Sequence, residues 1–166
     1  PKLRPQWRLP NALTHRGIGS DDLSRSFTLI KSDKDERLAL ANFKNMQVFM
    51  KDRLGSNIDR MALLDEVVDI AVSSFDIADE TYIQVICQIC DNPDEESLML
   101  GWDLLHVLIL EVRPSPILKW FVVRFLQIHL SESQEVGDGI NVVPPDILDV
   151  FNRVAREDED YYGIPM

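Results

Sequence analysis

The sequence predicts an all-α fold, a compact multi-helix bundle with an irregular N-terminal arm, and three observations carry that reading. Apolar residues recur at steps of three and four in successive segments, the spacing at which side chains share one face of a helix. Capping residues and prolines punctuate those segments. No pair of alternating apolar and polar runs is joined by an Asn-Gly or Asp-Gly turn, the strongest short signal of a hairpin. The 166 residues suit one domain, and 45% hydrophobic with 27% charged residues is the mix of a chain that buries a core. Glu111, Lys119 and Arg124 interrupt every run that approaches the roughly 18 apolar residues of a membrane helix, so no membrane span is expected.

The elements follow in order. Residues 1–26 read as the arm: Pro1 to Ser20 holds three prolines with Gly17 and Gly19, and Trp7, Leu9 and Leu13 are available to pin it to the core. Residues 27–156 form the helical domain. Ser32, three residues before Asp35, caps a first helix whose stripe is Leu40, Phe43, Met46, Met50 and Leu54, ending at Gly55. Asn57 caps a second, with Met61, Leu64, Val68, Ala71, Val72 and Phe75 on one face. Asp79 and Glu80 suit the first turn of a third, which carries Tyr82, Ile86, Ile89 and Cys90 and stops at Asp91-Asn92-Pro93. Asp94 caps a fourth, bearing Leu98, Trp102, Leu105, His106 and Ile109 up to Arg113-Pro114. Ser115-Pro116 opens a fifth, with Ile117, Trp120, Phe121, Phe125 and Ile128. After an exposed loop over Ser131 to Val143, Pro144-Pro145 introduces a short helix with Leu148, Phe151 and Val154, and residues 157–166 form an acidic connector to a further domain. The very apolar fourth and fifth helices are expected at the centre, with Trp102, Leu105, Ile109, Trp120, Phe121 and Phe125 as its heart.

The net charge of −11 argues against nucleic-acid binding, which needs surplus Lys and Arg for phosphates. The charge is unevenly placed. Pro1 to Arg60 carries twelve basic and seven acidic residues, whereas Met61 to Met166 carries five and twenty-one. Lys31, Lys34, Arg37, Lys44, Lys51, Arg53 and Arg60 therefore supply a candidate basic patch for an acidic partner such as tubulin tails; the plainer alternative is solvated helix faces paired locally with Asp33, Asp35 and Asp59.

No other grouping assembles an active site. Cys87-Gln88-Ile89-Cys90 has CxxC spacing, but zinc needs two more ligands and His15, His106 and His129 are scattered, while a redox pair belongs at a helix start. A buried structural pair is expected. Asp79-Glu80 and Asp94-Glu95-Glu96 fit helix starts better than acid–base work, and His106 between Leu105 and Val107 fits a core or boundary position better than a catalytic one. No Gly-rich phosphate loop, HExxH or Gly-x-Ser-x-Gly occurs. The expectation is a non-enzyme without cofactor or metal. The N-terminus has no signal pattern and two cysteines make no disulfide framework, so a cytoplasmic setting is expected.

Several segments resemble a known family. Asp79-Glu80-Thr81-Tyr82-Ile83-Gln84-Val85-Ile86-Cys87-Gln88, followed by Asn92-Pro93, is similar to the Asp-Glu-x-Tyr-x-Gln signature of the myosin-tail-homology 4 (MyTH4) domain. Ser97, Gly101-Trp102, Leu104-Leu105 and Pro114-Ser115 match its next segments, and Phe43, Met46-Gln47, Phe49-Met50 and Asp52-Arg53 resemble its upstream helix end. Gln84 and Gln88 lie four apart on one face, and Gly101 leaves room for a neighbouring helix beside Trp102, so packing roles are expected for Asp79, Glu80, Tyr82, Gln84, Gln88, Gly101, Trp102 and Pro114. Two departures stand out. Lys51 replaces a usual glycine, which is expected to displace the helix end to Gly55, and Ala78 replaces a frequent arginine.

The resemblance implies a non-catalytic protein-interaction and targeting module of a cytoskeletal regulator, found in unconventional myosins, plant kinesins and Rho GTPase-activating proteins. Its partners would be tubulin or cortical cytoskeletal proteins, at the cytoskeleton or cell cortex. The chain is expected to be a piece of a longer protein. Tyr161-Tyr162-Gly163-Ile164-Pro165-Met166 resembles the start of a Rho GTPase-activating domain, so the expected host is a signalling protein of that kind; the alternative is a cargo- or microtubule-binding tail module of a myosin or kinesin.

Overall fold

The computed structural model describes residues 2, 14–18, 22–55, 59–135 and 143–162, with 132–135 and 155–162 as backbone alone. Six helices run in chain order: α1 (Asp33–Phe49), α2 (Arg60–Ala71), α3 (Phe75–Ile89), α4 (Glu95–Glu111), α5 (Pro116–Glu135) and α6 (Ile147–Tyr162). The described residues form no strand, and the fold is all-α as expected.

Local chemistry sets the helix starts. Ser32 Oγ accepts from Asp35 N, Asp94 Oδ1 from Ser97 N and Ser115 Oγ from Leu118 N, so three expected caps are in place. Two starts differ. Asp59 rather than Asn57, which lies outside the described residues, caps α2 through Met61 N and Ala62 N. Ser74 caps α3, which begins at Phe75, so Asp79 and Glu80 sit a turn inside the helix and are buried there rather than serving its positive end. Hydroxyl caps at Ser74 outrank the carboxylate pair because the helix extends back through the apolar Phe75 and Ile77.

The end of α1 also corrects the sequence reading. The helix stops at Phe49, not Gly55, and Lys51 itself takes the left-handed conformation, φ 67°. Its N–H reaches Val48 O and Arg53 N reaches Gln47 O, closing the last turn's carbonyls as glycine would, at roughly 1 kcal/mol of backbone strain. Leu54 consequently leaves the stripe and is 86% exposed.

The centre lies elsewhere than expected. Helix α3 is buried along its whole length from Ile77 to Ile89, and it packs against α1, α2 and α4. Helix α6 closes the far side against α4 and α5. Trp102, Leu105, Ile109 and Phe125 are buried as expected, but Trp120 is 66% and Phe121 42% exposed. Helix α5 carries apolar residues on more than one face between Ile117 and Ile128 and uses the neighbouring one, Leu118, Val122, Phe125 and Leu126, against the core. In α2 the buried face is likewise Leu63, Val67 and Ala71, while Met61 is exposed, as are Val72 at its C-cap and Phe75, which opens α3. Where every face of a helix offers apolar residues, periodicity alone leaves the rotation open. Trp7, Leu9 and Leu13 lie outside the described residues, and α6 continues through the acidic stretch from Glu157 to Tyr162.

Candidate functional site

Helix α3 carries most of the expected signature, and each polar residue on it holds a different part of the chain. Asp79 Oδ1 accepts from Ser115 N at 2.8 Å, and Tyr82 Oη lies 3.0 Å from Leu108 O and 2.8 Å from Val112 O. Together they fix the end of α4 and the start of α5, on either side of half-buried Pro114, supplying a donor where the last helical carbonyls have none. Glu80 has no exposed surface. Its carboxylate accepts from Phe27 N at 2.8 Å, Thr28 N at 2.7 Å, Thr28 Oγ1 at 2.7 Å and Gln84 Nε2 at 3.0 Å. Burial pushes its carboxyl above the usual carboxylate range, while bonds from Thr28, Phe27 and Gln84 pull the other way. Gln84 Nε2 also reaches Ala39 O on α1 at 3.2 Å.

Gln88 serves a third place. Its Oε1 accepts from Arg16 N, and its Nε2 donates to Asp52 Oδ2 at 2.8 Å and Arg16 O at 3.2 Å. Asp52 Oδ1 meets His15 Nε2 and accepts from Ser97 Oγ, both at 2.8 Å. Asn92 Nδ2 bonds Gln88 O and Ser97 Oγ, and Gln47 Nε2 adds a bond to Arg16 O at 2.8 Å. Gln47, Asp52 and Gln88 thus converge on the arm at His15 and Arg16, and Asn92 and Ser97 brace them from behind. Both glutamines make their bonds within the chain, Gln84 to α1 and Gln88 to the arm and Asp52. Arg25 and Ser26 are held similarly by Glu36.

Gly101 and Trp102 lie on the packed face of α4. A Cβ at Gly101 would lie 2.7 Å from Met50 Cε and 3.1 Å from Ile89 Cγ1, so the missing side chain lets α4 approach the ends of α1 and α3. Trp102 stacks on Phe125 and meets the edge of His129.

Cys87 is buried and Cys90 half-buried at the end of α3, as a structural pair. Cys87 Sγ contacts Thr14 O at 2.9 Å. Burial first, then the neighbouring Cys90, pushes the Cys87 thiol up to about 12, and burial pushes Cys90 up to about 11. This is the reverse of a redox cysteine. A thiol-specific reagent at pH 8 should leave Cys87 unmodified in the native protein and label it in urea; rapid native labelling would show that the arm does not cover it. Half-buried His106 suits the boundary position expected of it. No group of three or more metal-ligating side chains occurs among the described residues.

The basic residues lie on the outside. Lys31 precedes the α1 cap, and Lys34, Arg37 and Lys44, at spacings of three and seven, share one outward face of α1. Lys51, half-buried Arg53 and Arg60 line a cleft of about 300 Å³ between the end of α1 and the start of α2, with Val48, Phe49, Leu54, Gly55 and Leu63. The local acids proposed to pair with them, Asp33, Asp35 and Asp59, form no ion pair among the described residues. Asp22 does so instead, with Lys44 at 2.6 Å and with Arg53, and Glu96 pairs with Lys51. The hydrogen bonds from Lys44 and then Arg53 hold the Asp22 carboxyl below its ordinary value. Sequence spacing gave no sign of Asp22, Asp52, His15, Glu36 or Glu96, whose partners lie 10 to 45 positions away.

The model of the MyTH4 domain family matches residues 64–157, more than half of the chain. Human unconventional myosin-XVB is 34% identical over 107 residues, which make up 64% of this chain and 3% of that protein. Among solved structures, the Dictyostelium discoideum myosin VII MyTH4-FERM MF2 domain superposes with a TM-score of 0.69 at 20% identity, over 93% of this chain and 29% of that one. A mutant of the MF1 domain of the same myosin gives a TM-score of 0.71 at 15% identity, over 95% and 30% of the two chains. At such identities the structural likeness speaks for the fold. The chain spans less than a third of each of these relatives.

Proposed function

The chain belongs to the MyTH4 domain family, and from that premise we propose that it is a protein-interaction module in the tail of an unconventional myosin. MyTH4 is a non-catalytic interaction domain of myosin tails. The family match over residues 64–157 carries the reading, and the similarity to unconventional myosin-XVB favours a myosin host. A Rho GTPase-activating host, the reading suggested by Tyr161 to Met166, has no support from these relatives. Tyr161 and Tyr162 end α6, and residues 163–166 lie outside the described ones.

The partner is an acidic protein surface such as a tubulin tail, engaged by the face of Lys34, Arg37 and Lys44 and the cleft of Lys51, Arg53 and Arg60. What supports this is the placement of those cations, exposed except for half-buried Arg53, on an otherwise strongly acidic chain. Their attraction reaches about 10 Å at 0.1 M salt, so association falls as salt rises. A setting at the cytoskeleton or cell cortex follows from the same proposal. No helix among the described residues is long and apolar enough to cross a membrane. The exposed stripe of Ile117, Trp120, Phe121 and Ile128 on α5 also suits a protein that works by contact.

Co-sedimentation with microtubules at low ionic strength tests the proposal. The wild-type chain should be recovered in the pellet and the variant Lys44→Glu with Lys51→Glu mostly in the supernatant. Equal recovery of the two would remove the basic surface from the reading.

A further inference from the structure

The cations of the cleft are already occupied. Lys51 is paired with Glu96 at the start of α4, and Arg53 with Asp22 in the segment before α1, which also takes Lys44. All five side chains are a third or more exposed, so these are surface pairs that the solvent reaches. Such pairs contribute little to stability, typically below about 1 kcal/mol each, and an incoming carboxylate replaces them at small cost. Arg60 forms no ion pair with an acid among the described residues, although the Asp59 carboxylate caps the same end of α2. The floor between these cations is apolar: Val48, Phe49 and Leu63 line it, and Leu54 stands at its side 86% exposed.

We propose that this cleft binds a short acidic peptide segment bearing one large apolar side chain, and that Asp22 and Glu96 act as internal competitors for its carboxylates. The inference rests on the reading of the basic face as the partner surface and adds to it the occupant and its control. Three cations ring a cavity of about 300 Å³, large enough for a leucine-sized side chain, so charge brings the segment and the apolar contact with Leu54 and its neighbours selects it. Asp22 sets the threshold. By neutralising Lys44 and Arg53 together, it lowers the local positive field that an acidic partner meets, and a partner must supply at least two carboxylates to displace both internal acids.

The experiment is fluorescence anisotropy on the full 166-residue chain with two labelled probes, an oligoglutamate peptide with one central leucine and the same peptide with serine there. The variant Asp22→Asn with Glu96→Gln, both at exposed positions, should bind the leucine probe about threefold to tenfold tighter than wild type, the fold-change expected from removing two weak competing pairs. The serine probe should bind about fivefold or more weaker than the leucine probe, and Leu54→Ser should narrow that difference. Unchanged affinity in the neutralised variant, or equal binding of the two probes, overturns the inference. If Lys51→Glu with Arg53→Glu still weakens binding in that case, the basic-face reading stands without it. If that reversed variant binds as well as wild type, both fall.

Discussion

Glu80→Ala is expected to lower the unfolding free energy by about 3 to 5 kcal/mol at neutral pH, a large share of the roughly 5 to 15 kcal/mol that holds a domain folded. The substitution removes the acceptor that Phe27 N, Thr28 N and Thr28 Oγ1 share and takes one from Gln84 Nε2. A buried donor without a partner costs about 1 to 3 kcal/mol, and relief from burying a charged group offsets part of that sum. Urea unfolding measures it through a lower midpoint, and an unchanged midpoint would show that water reaches Thr28 and replaces the carboxylate. The pH dependence has a definite sign. Because burial raises the folded value of this carboxyl above 4.5, its contribution is fully present below that pH and declines as pH rises through the folded value. The gap between wild type and Glu80→Ala should therefore widen on mild acidification.

Trp102→Ala is expected to cost about 3 to 5 kcal/mol as well, through the cavity left when a large side chain with 1% exposure is removed from beside Phe125 and His129. Trp120→Ala serves as its control. With most of its ring in solvent, Trp120 should change stability by no more than about 0.5 kcal/mol. Comparable losses for both tryptophans in a thermal melt would place α5 against the core by its other face.

The helices and caps were legible because their signals are local: Ser32, Asp94 and Ser115 each sit within three residues of the amide they satisfy. The all-α class and the burial of Trp102 and Phe125 followed from period and bulk. Rotation of α2 and α5 was not legible, because Met61 and Leu63, or Trp120 and Leu118, are equally apolar and only the neighbouring helices choose between them. The end of α1 was misread since a lysine rarely takes positive φ, and here the bonds from Lys51 N and Arg53 N hold it there. The exposed cations of the candidate site were visible from charge alone. Their acidic partners were not, as Asp22 lies 31 positions from Arg53 and Glu96 45 from Lys51.

The arm has a kinetic meaning distinct from its chemistry. Helical domains usually fold fast because their contacts are close in sequence. Here Thr28 is tied to a residue 52 positions on, Arg16 to one 72 on and Thr14 to one 73 on. Closing a loop of that length carries an entropy cost that local helix formation does not, and the return comes only when α3 is already in place to receive the arm. Such a topology predicts that the helices assemble before the arm docks, leaving the carboxylates of Asp52 and Glu80 uncovered until it does. In that order the last contact to form is made by a segment that is not itself a helix, and stopped-flow refolding should resolve its docking as a separate slow phase.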